Sequence, residues 1–246
     1  MPRKLLQQWR QSAQEELGLP VDAPDESLSA TRSQCPHCHT TIAWYDNLPL
    51  LSWLLLRGKC RHCSAPISVR YLLLELAGVC LGVGAYALFG FKPAAVAAAI
   101  AGFLLLWLSV IDIEHQLLPD TLVYPLLWVG LISATQHYFV SLPIAVWGGL
   151  TGFLVLAVPS EAYAAIRGRQ GMGPGDMKLL MALGAFVGPW GVVYSLLAAC
   201  LSGIGGNLWL RFRTGTAPER LPFGQWLAGG GALVFILQSW GALRLS

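Results

Sequence analysis
Apolar segments follow one another from about residue 71 to the end of the chain, and this serial pattern constrains the fold more than any other feature. They lie near 71–90, 93–113, 121–137, 140–166, 177–188, 190–210 and 222–241. A helix needs about 20 residues to cross a bilayer. The third and fifth segments are shorter than that and are predicted to be tilted, re-entrant or extended by polar ends. Composition points the same way: 55% of the 246 residues are hydrophobic and only 12% charged, where soluble domains carry roughly 25% charged residues. The expected fold class is an all-α polytopic membrane protein with about seven transmembrane helices and a small N-terminal cytosolic domain. The boundary is placed between residues 1–70 and 71–246.

The polar part holds eight of the sixteen Lys and Arg. Gln8 to Leu19 reads as a short amphipathic helix and Pro20 to Ser29 as a loop. Arg3, Lys4 and Arg10 have no apolar core after them, so they are not expected to form a secretory signal. Positive residues gather on the cytosolic side of membrane proteins. Arg57, Lys59, Arg61 and Arg70 precede the first span; Arg167, Arg169 and Lys178 flank a Gly-rich loop; Arg211, Arg213 and Arg220 precede the last span. Seven crossings with residues 1–70 inside put all ten in the cytosol and leave Lys92 and Arg244 outside. No nucleic-acid partner is expected, and no internal repeat is visible.

Two C-x-x-C pairs, Cys35/Cys38 and Cys60/Cys63, are separated by 21 residues. That spacing is close to that of a structural tetrathiolate zinc site. Each pair offers two thiolates from one tight turn, and four thiolates staple a segment too small to build its own core. His37, His39 and His62 are nearby, but four cysteines suffice. Two disulfides or idle thiols are the alternatives, and a cytosolic location disfavours disulfides. A closed four-ligand site is structural rather than catalytic. Cys80 and Cys200 lie in apolar segments and read as small core hydrophobes.

The candidate chemistry centres on Gly171-Met-Gly-Pro-Gly-Asp-Met-Lys178. Gly173 and Gly175 sit just ahead of one carboxylate, Asp176, and a hydrophobic run follows it. Glycines admit dihedrals closed to other residues and let another chain approach. The plainer reading is a tight turn with Asp176 as a helix N-cap. A second carboxylate, Asp112, ends the second span, 64 residues earlier, and the topology brings both to one membrane face. Two carboxylates a few ångströms apart share a proton. The ionised one then takes a proton from water while the protonated one polarises a scissile carbonyl. A proton or cation pathway is the rival reading, as in a carboxylate-gated transporter with a zinc-stapled cap.

Other polar residues take simpler expectations. Asp120, after Pro119, reads as a helix N-cap. Glu114 and His115 read as interfacial, and Glu75 or Glu161 as a partner for an Arg or a lining of the site. Lys178 either tunes the charge of the carboxylate pair or binds lipid phosphate. Trp107, Trp128, Trp147, Trp190, Trp209, Trp226 and Trp240 fit an interfacial belt.

With these residues in view, the chain resembles the type IV prepilin peptidases, aspartic membrane proteases of the Gly-x-Gly-Asp class. The likeness runs from about residue 34 to the end and is carried by several motifs in order. They are the four cysteines, Asn47-Leu-Pro-Leu-Leu-Ser-Trp53, Gly58-Lys-Cys60, Ile111-Asp112 with Leu118-Pro-Asp120, Gly171 to Leu179, and Leu221-Pro-Phe-Gly224. The resemblance implies that Asp112 and Asp176 are the catalytic pair, with Gly173, Gly175 and Lys178 in the catalytic loop. It implies a protein of the bacterial inner membrane that cuts prepilins or pseudopilins of pilus or type II secretion systems. The cut falls after a Gly, on the cytosolic face, before the substrate's apolar helix. Many members also methylate the new N-terminus from S-adenosylmethionine, an activity linked to the cysteine domain. No adenosylmethionine-binding fingerprint is visible, and Gly58 and Glu75 are only weak candidates for that function. Family members begin with a further span, whereas this chain starts at Met1-Pro-Arg-Lys, so seven spans are counted where the family has eight.

Overall fold
A computed structural model describes residues 34–35, 37–47, 51–168, 171–214 and 223–241. The amphipathic helix and loop expected over Gln8 to Ser29 lie outside the described residues. Among the described residues there are seven α-helices: α1 (Leu51–Leu55), α2 (Val69–Phe89), α3 (Pro93–His115), α4 (Asp120–Thr135), α5 (Leu142–Arg167), α6 (Pro174–Thr214) and α7 (Phe223–Ser239). A short 3-10 helix, Trp44–Asn47, precedes α1. Among the described residues the only extended pairings are two isolated bridges. The chain divides into two compact units, one ending at Val79 and one beginning at Cys80.

Among the described residues four helices are long and apolar enough to cross a bilayer, α2, α3, α5 and α6, and α4 is apolar but shorter. At 41 residues, α6 would span about 60 Å if straight, twice the hydrocarbon thickness. It is not straight. Gly188 stands at φ 73°, ψ −179° inside it and Pro189 follows. Pro189 has no amide to continue the helical ladder, and Gly188 takes a left-handed φ that a side chain would resist. Contacts with α7 show that the chain doubles back there. Trp226, near the start of α7, packs on Gly203 and Gly206; Gly230 meets Ser195 and Ala199; Gly231 meets Leu183. The first part of α6 therefore runs parallel to α7 and the second part antiparallel. The sequence pattern placed a break between 188 and 190, and the helix before it starts earlier than expected, at Pro174.

The core of the second unit lies along the first part of α6, where Leu179, Leu180, Ala182, Leu183, Ala185 and Val187 are almost fully buried. That part lies against α5 with no side chain between them at two points. A Cβ on Gly148 would stand 2.7 Å from Cα of Gly188 and 2.9 Å from the carbonyl carbon of Gly184, and one on Gly152 would meet the backbone of Leu180. At the Gly188 end, Phe89, Phe139, Phe186 and Phe235 form one aromatic cluster, with Phe139 and Phe235 centroids 4.9 Å apart. Edge-on contacts dominate it, as ring quadrupoles favour.

Several local expectations need correction. Pro119, not Asp120, is the N-cap of α4. The Asp120 carboxylate is bonded elsewhere, as described below. Asp176 is the third residue of α6 rather than its cap, because Pro174 fits the first helical position. Cys80 and Cys200 are exposed on helix surfaces, not core residues. Large apolar side chains are exposed along α3 to α6 and just after α7, including Trp107, Trp128, Trp147, Trp190, Trp209 and Trp240. In a bilayer such surfaces face lipid, so a small apolar thiol is at home there.

Candidate functional site
The N-terminal cysteines form two turns with one backbone pattern. In the first, Cys35 N–H donates to Thr40 O, His39 N–H donates to Cys35 O, and Gln34 bridges Thr41. In the second, Cys60 N–H donates to Ala65 O, Ser64 N–H donates to Cys60 O, and Lys59 bridges Pro66. His39 and Ser64, each four residues after the first cysteine, both take left-handed φ, at 55° and 56°. The two turns are thus conformational repeats, which the differing side chains hid in the sequence. The four sulfurs all lie within 4.8 Å of one another, and Cys35 Sγ is 3.8 Å from Cys63 Sγ. A tetrahedron with Zn–S bonds of about 2.3 Å has edges of about 3.8 Å. A disulfide needs about 2.05 Å, and all four thiols are free.

The electrostatics of the cluster fit a cation as well. Hydrogen bonds from the side chain and backbone of Thr40 hold the Cys38 thiol down at about 6. Backbone hydrogen bonds from Cys63 and His62 also lower Cys60. At Cys63 the Ala65 backbone pulls the same way, but desolvation and the three neighbouring sulfurs outweigh it and push this thiol up to about 11. Four sulfurs this close cannot all ionise without a positive centre among them. Outside the cluster, Arg61 forks onto Asp46 at 2.8 and 2.6 Å and stands over the Tyr45 ring at 5.6 Å, tying the second turn to the 3-10 helix. Gly58, at φ 69°, closes the turn before Cys60 and lies under the Trp53 indole, where a Cβ would be 2.9 Å from Cζ2. Packing explains this glycine without a cofactor.

In the second unit, Asp112 and Asp176 come together. Asp112 is in the last turns of α3 and only 4% exposed. Its Oδ2 accepts a 2.9 Å hydrogen bond from the backbone N–H of Gln225, in the first turn of α7. The site is thus closed by a helix N-terminus, whose free amides favour an anionic acceptor. Gly224 makes the approach possible: a Cβ there would stand 2.9 Å from Oδ2 and 3.0 Å from Cγ of Asp112. Asp176, half-buried near the start of α6, lies close enough for the charge of Asp112 to act on it.

Leu118 sits among these elements. It belongs to the turn after α3, where Gln116 takes φ 53° and its N–H caps Asp112 O. The Leu118 side chain is buried, packing on both Gly175 and Gly224. A Cβ on Gly175 would stand 2.8 Å from Leu118 Cβ. Of the two uses expected of the Gly-rich loop, special dihedrals and close approach, the second is the one found. Neither Gly173 nor Gly175 has positive φ; Gly175 provides close approach to Leu118, and the nearest atom to a Cβ on Gly173 is Asp176 Oδ2 at 3.7 Å.

Lys178 is not free for a lipid phosphate. Its Nζ donates to both oxygens of Asp120, at 2.8 and 2.7 Å, and lies 5.6 Å from the centre of the Tyr124 ring. Glu161 is exposed near the end of α5, and Glu114 pairs with His115 at 3.8 Å in the last turn of α3.

The chain matches two family profiles. Residues 99–206 match the type IV leader peptidase family, and residues 10–89 match the bacterial peptidase A24 N-terminal domain. The second match takes in all four cysteines, and the first takes in both aspartates. A protein of Stutzerimonas stutzeri is 41% identical over 246 residues, covering 98% of this chain and 83% of its own length. This chain belongs to the type IV leader peptidase family. An Aeromonas hydrophila protein is 42% identical, covering 90% of this chain and 76% of its own length. A Pseudomonas aeruginosa protein is 38% identical, covering 98% and 83%. All three relatives are named prepilin leader peptidase/N-methyltransferase. No solved structure matches the chain.

Proposed function
We propose that this protein is a membrane aspartic endopeptidase that removes the leader of type IV prepilins or pseudopilins after Gly and then methylates the new N-terminus. The observation that carries the reading is the meeting of Asp112 and Asp176, distant in sequence, at one end of the second unit beside the α7 N-terminus. The family and the relatives' names supply the substrate class. The transport alternative finds no support among them.

The chemistry follows from two carboxyl groups sharing one proton. The ionised carboxylate takes a proton from a water held between the pair. The resulting nucleophile attacks the scissile carbonyl carbon, while the protonated carboxyl donates a hydrogen bond, then its proton, to the carbonyl oxygen. Collapse of the tetrahedral intermediate expels the amine, which takes a proton as it leaves. Neither a metal nor a covalent acyl-enzyme takes part. The Gln225 amide holds Asp112 in a fixed orientation throughout.

Cys35, Cys38, Cys60 and Cys63 would hold a structural Zn²⁺, closing the N-terminal unit in place of a hydrophobic core. Methyl transfer uses S-adenosylmethionine as donor, and no residue is assigned to it. The chain crosses the inner membrane with α2 to α7, counting α6 as two crossings joined at Gly188, seven in all. The positive residues before α2 and around α6 support a cytosolic location for the aspartate end. Purified protein given a prepilin in detergent should release the leader. It should methylate the product only when adenosylmethionine is added. Failure to cut any prepilin sinks the reading.

A further inference from the structure
The Lys178–Asp120 pair has no part in the chemistry above, yet it joins the two segments that carry the aspartates. Asp120 is the first residue of α4, eight positions after Asp112 and two after Leu118. Lys178 is two positions after Asp176 on the first turns of α6. The contact is bidentate, at 2.8 and 2.7 Å, with the Tyr124 ring beside the ammonium. Its lysine and aspartate side chains are 27% and 47% exposed, so screening leaves the pair little stabilising energy. A geometric use remains.

Residues two apart on a helix point roughly 200° away from each other around its axis. Asp176 therefore faces Asp112 while Lys178 faces α4 on the other side. Side-chain tips stand about 6 Å from the axis, so a roll of α6 by about 20° would move the Asp176 carboxylate by about 2 Å. Leu118 against Gly175 blocks approach but has no directional hold on such a roll. A two-pronged ion pair on the opposite face does.

We infer that Asp120 is a positioning residue, which through Lys178 fixes the rotation of α6 and hence the separation of the Asp112 and Asp176 carboxyls. This rests on the peptidase reading. The test uses the full purified chain, with prepilin cleavage followed as kcat and KM and the unfolding midpoint measured in the same detergent. Asp120→Asn is expected to lower kcat by about 10- to 100-fold, since displacements near 1 Å cost that much. KM should stay within about twofold and the midpoint should not move. The exchange variant, Asp120→Lys with Lys178→Asp, rebuilds the link with its poles reversed and should recover most of the lost kcat.

Wild-type kcat in Asp120→Asn overturns the inference, as does an exchange variant no faster than Asp120→Asn. A variant that fails to accumulate, or loses activity only in step with its folded fraction, assigns the pair a structural role and overturns it too. Asp112→Asn and Asp176→Asn run alongside. Should either still cleave, the peptidase reading itself falls; if both are dead while Asp120→Asn is unimpaired, only the positioning role falls.

Discussion

At the scale of single residues, the proposed reaction depends on two carboxyls and on the backbone amide of Gln225 that holds the first. Asp112→Asn or Asp176→Asn keeps shape and volume but removes the shared proton. Cleavage should fall by at least about 10³-fold, within the range of acid–base contributions, while the protein still accumulates in the membrane. Unprocessed prepilin on a gel reads this directly, and normal processing in either variant defeats the assignment. Gly224→Ala probes the support rather than the chemistry. Its new methyl would stand 2.9 Å from Asp112 Oδ2, so the carboxylate or α7 must shift. We expect kcat to drop about 10- to 100-fold with little change in the unfolding midpoint; wild-type kcat would mean the site tolerates the shift. The aspartates were legible because an ionisable group in an apolar series needs a reason. The Gln225 amide was not, since a backbone donor 113 residues away in the chain leaves no mark in the side-chain pattern.

Among the elements, the cysteine turns and the α5–α6 contact make separate demands. Zinc should be present at about one equivalent, and Cys60→Ser or a chelator should release it and unfold the N-terminal unit. Protons compete with metal for thiolates. Hydrogen bonds from Thr40 hold the Cys38 thiol down at about 6, so its ionised, metal-binding form is favoured near neutral pH. Occupancy should therefore be full near pH 7–8 and fall on strong acidification, as protons displace the metal, followed by metal analysis after dialysis. Zinc that never binds contradicts the site. Within α5, Gly148→Ala and Gly149→Ala form a matched pair. The first methyl meets the backbone of Gly184 and Gly188; the second makes ordinary contact with Met181, at 3.5 Å from its O and 3.8 Å from its Cγ. Gly148→Ala should cost about 1–3 kcal/mol and lower the unfolding midpoint, while Gly149→Ala should be near neutral. The cysteine spacing announced its cluster because ligand number and turn length are local. The Gly148–Gly184 contact could not be read, because a glycine that admits a neighbouring helix looks the same in sequence as one that merely sits in a helix.

For the whole molecule, helix content was legible throughout because apolar length alone enforces it: segments predicted at 71–90, 93–113, 121–137 and 140–166 became α2 to α5 with small shifts at their ends. What apolar length does not contain is direction. Gly188 and Pro189 signalled a break, but only the contacts of α7 with both parts of α6 show a reversal. That reversal brings Asp176, near one end of α6, to the same end of the unit as Gly203 and Gly206, and sets Gly188 at the other. Sidedness then follows for the rest of the unit. Gln116, in the turn after Asp112, should lie in the cytosol with the positive residues, and Lys92, at the start of α3, on the opposite surface. Single cysteines test this in a background lacking Cys80 and Cys200, the two exposed thiols on the apolar helices. A membrane-impermeant maleimide added to spheroplasts should label Lys92→Cys and spare Gln116→Cys, and inverted vesicles should give the reverse. Labelling of Gln116→Cys from outside would put the aspartates on the wrong side of the membrane for cleavage at the cytosolic face.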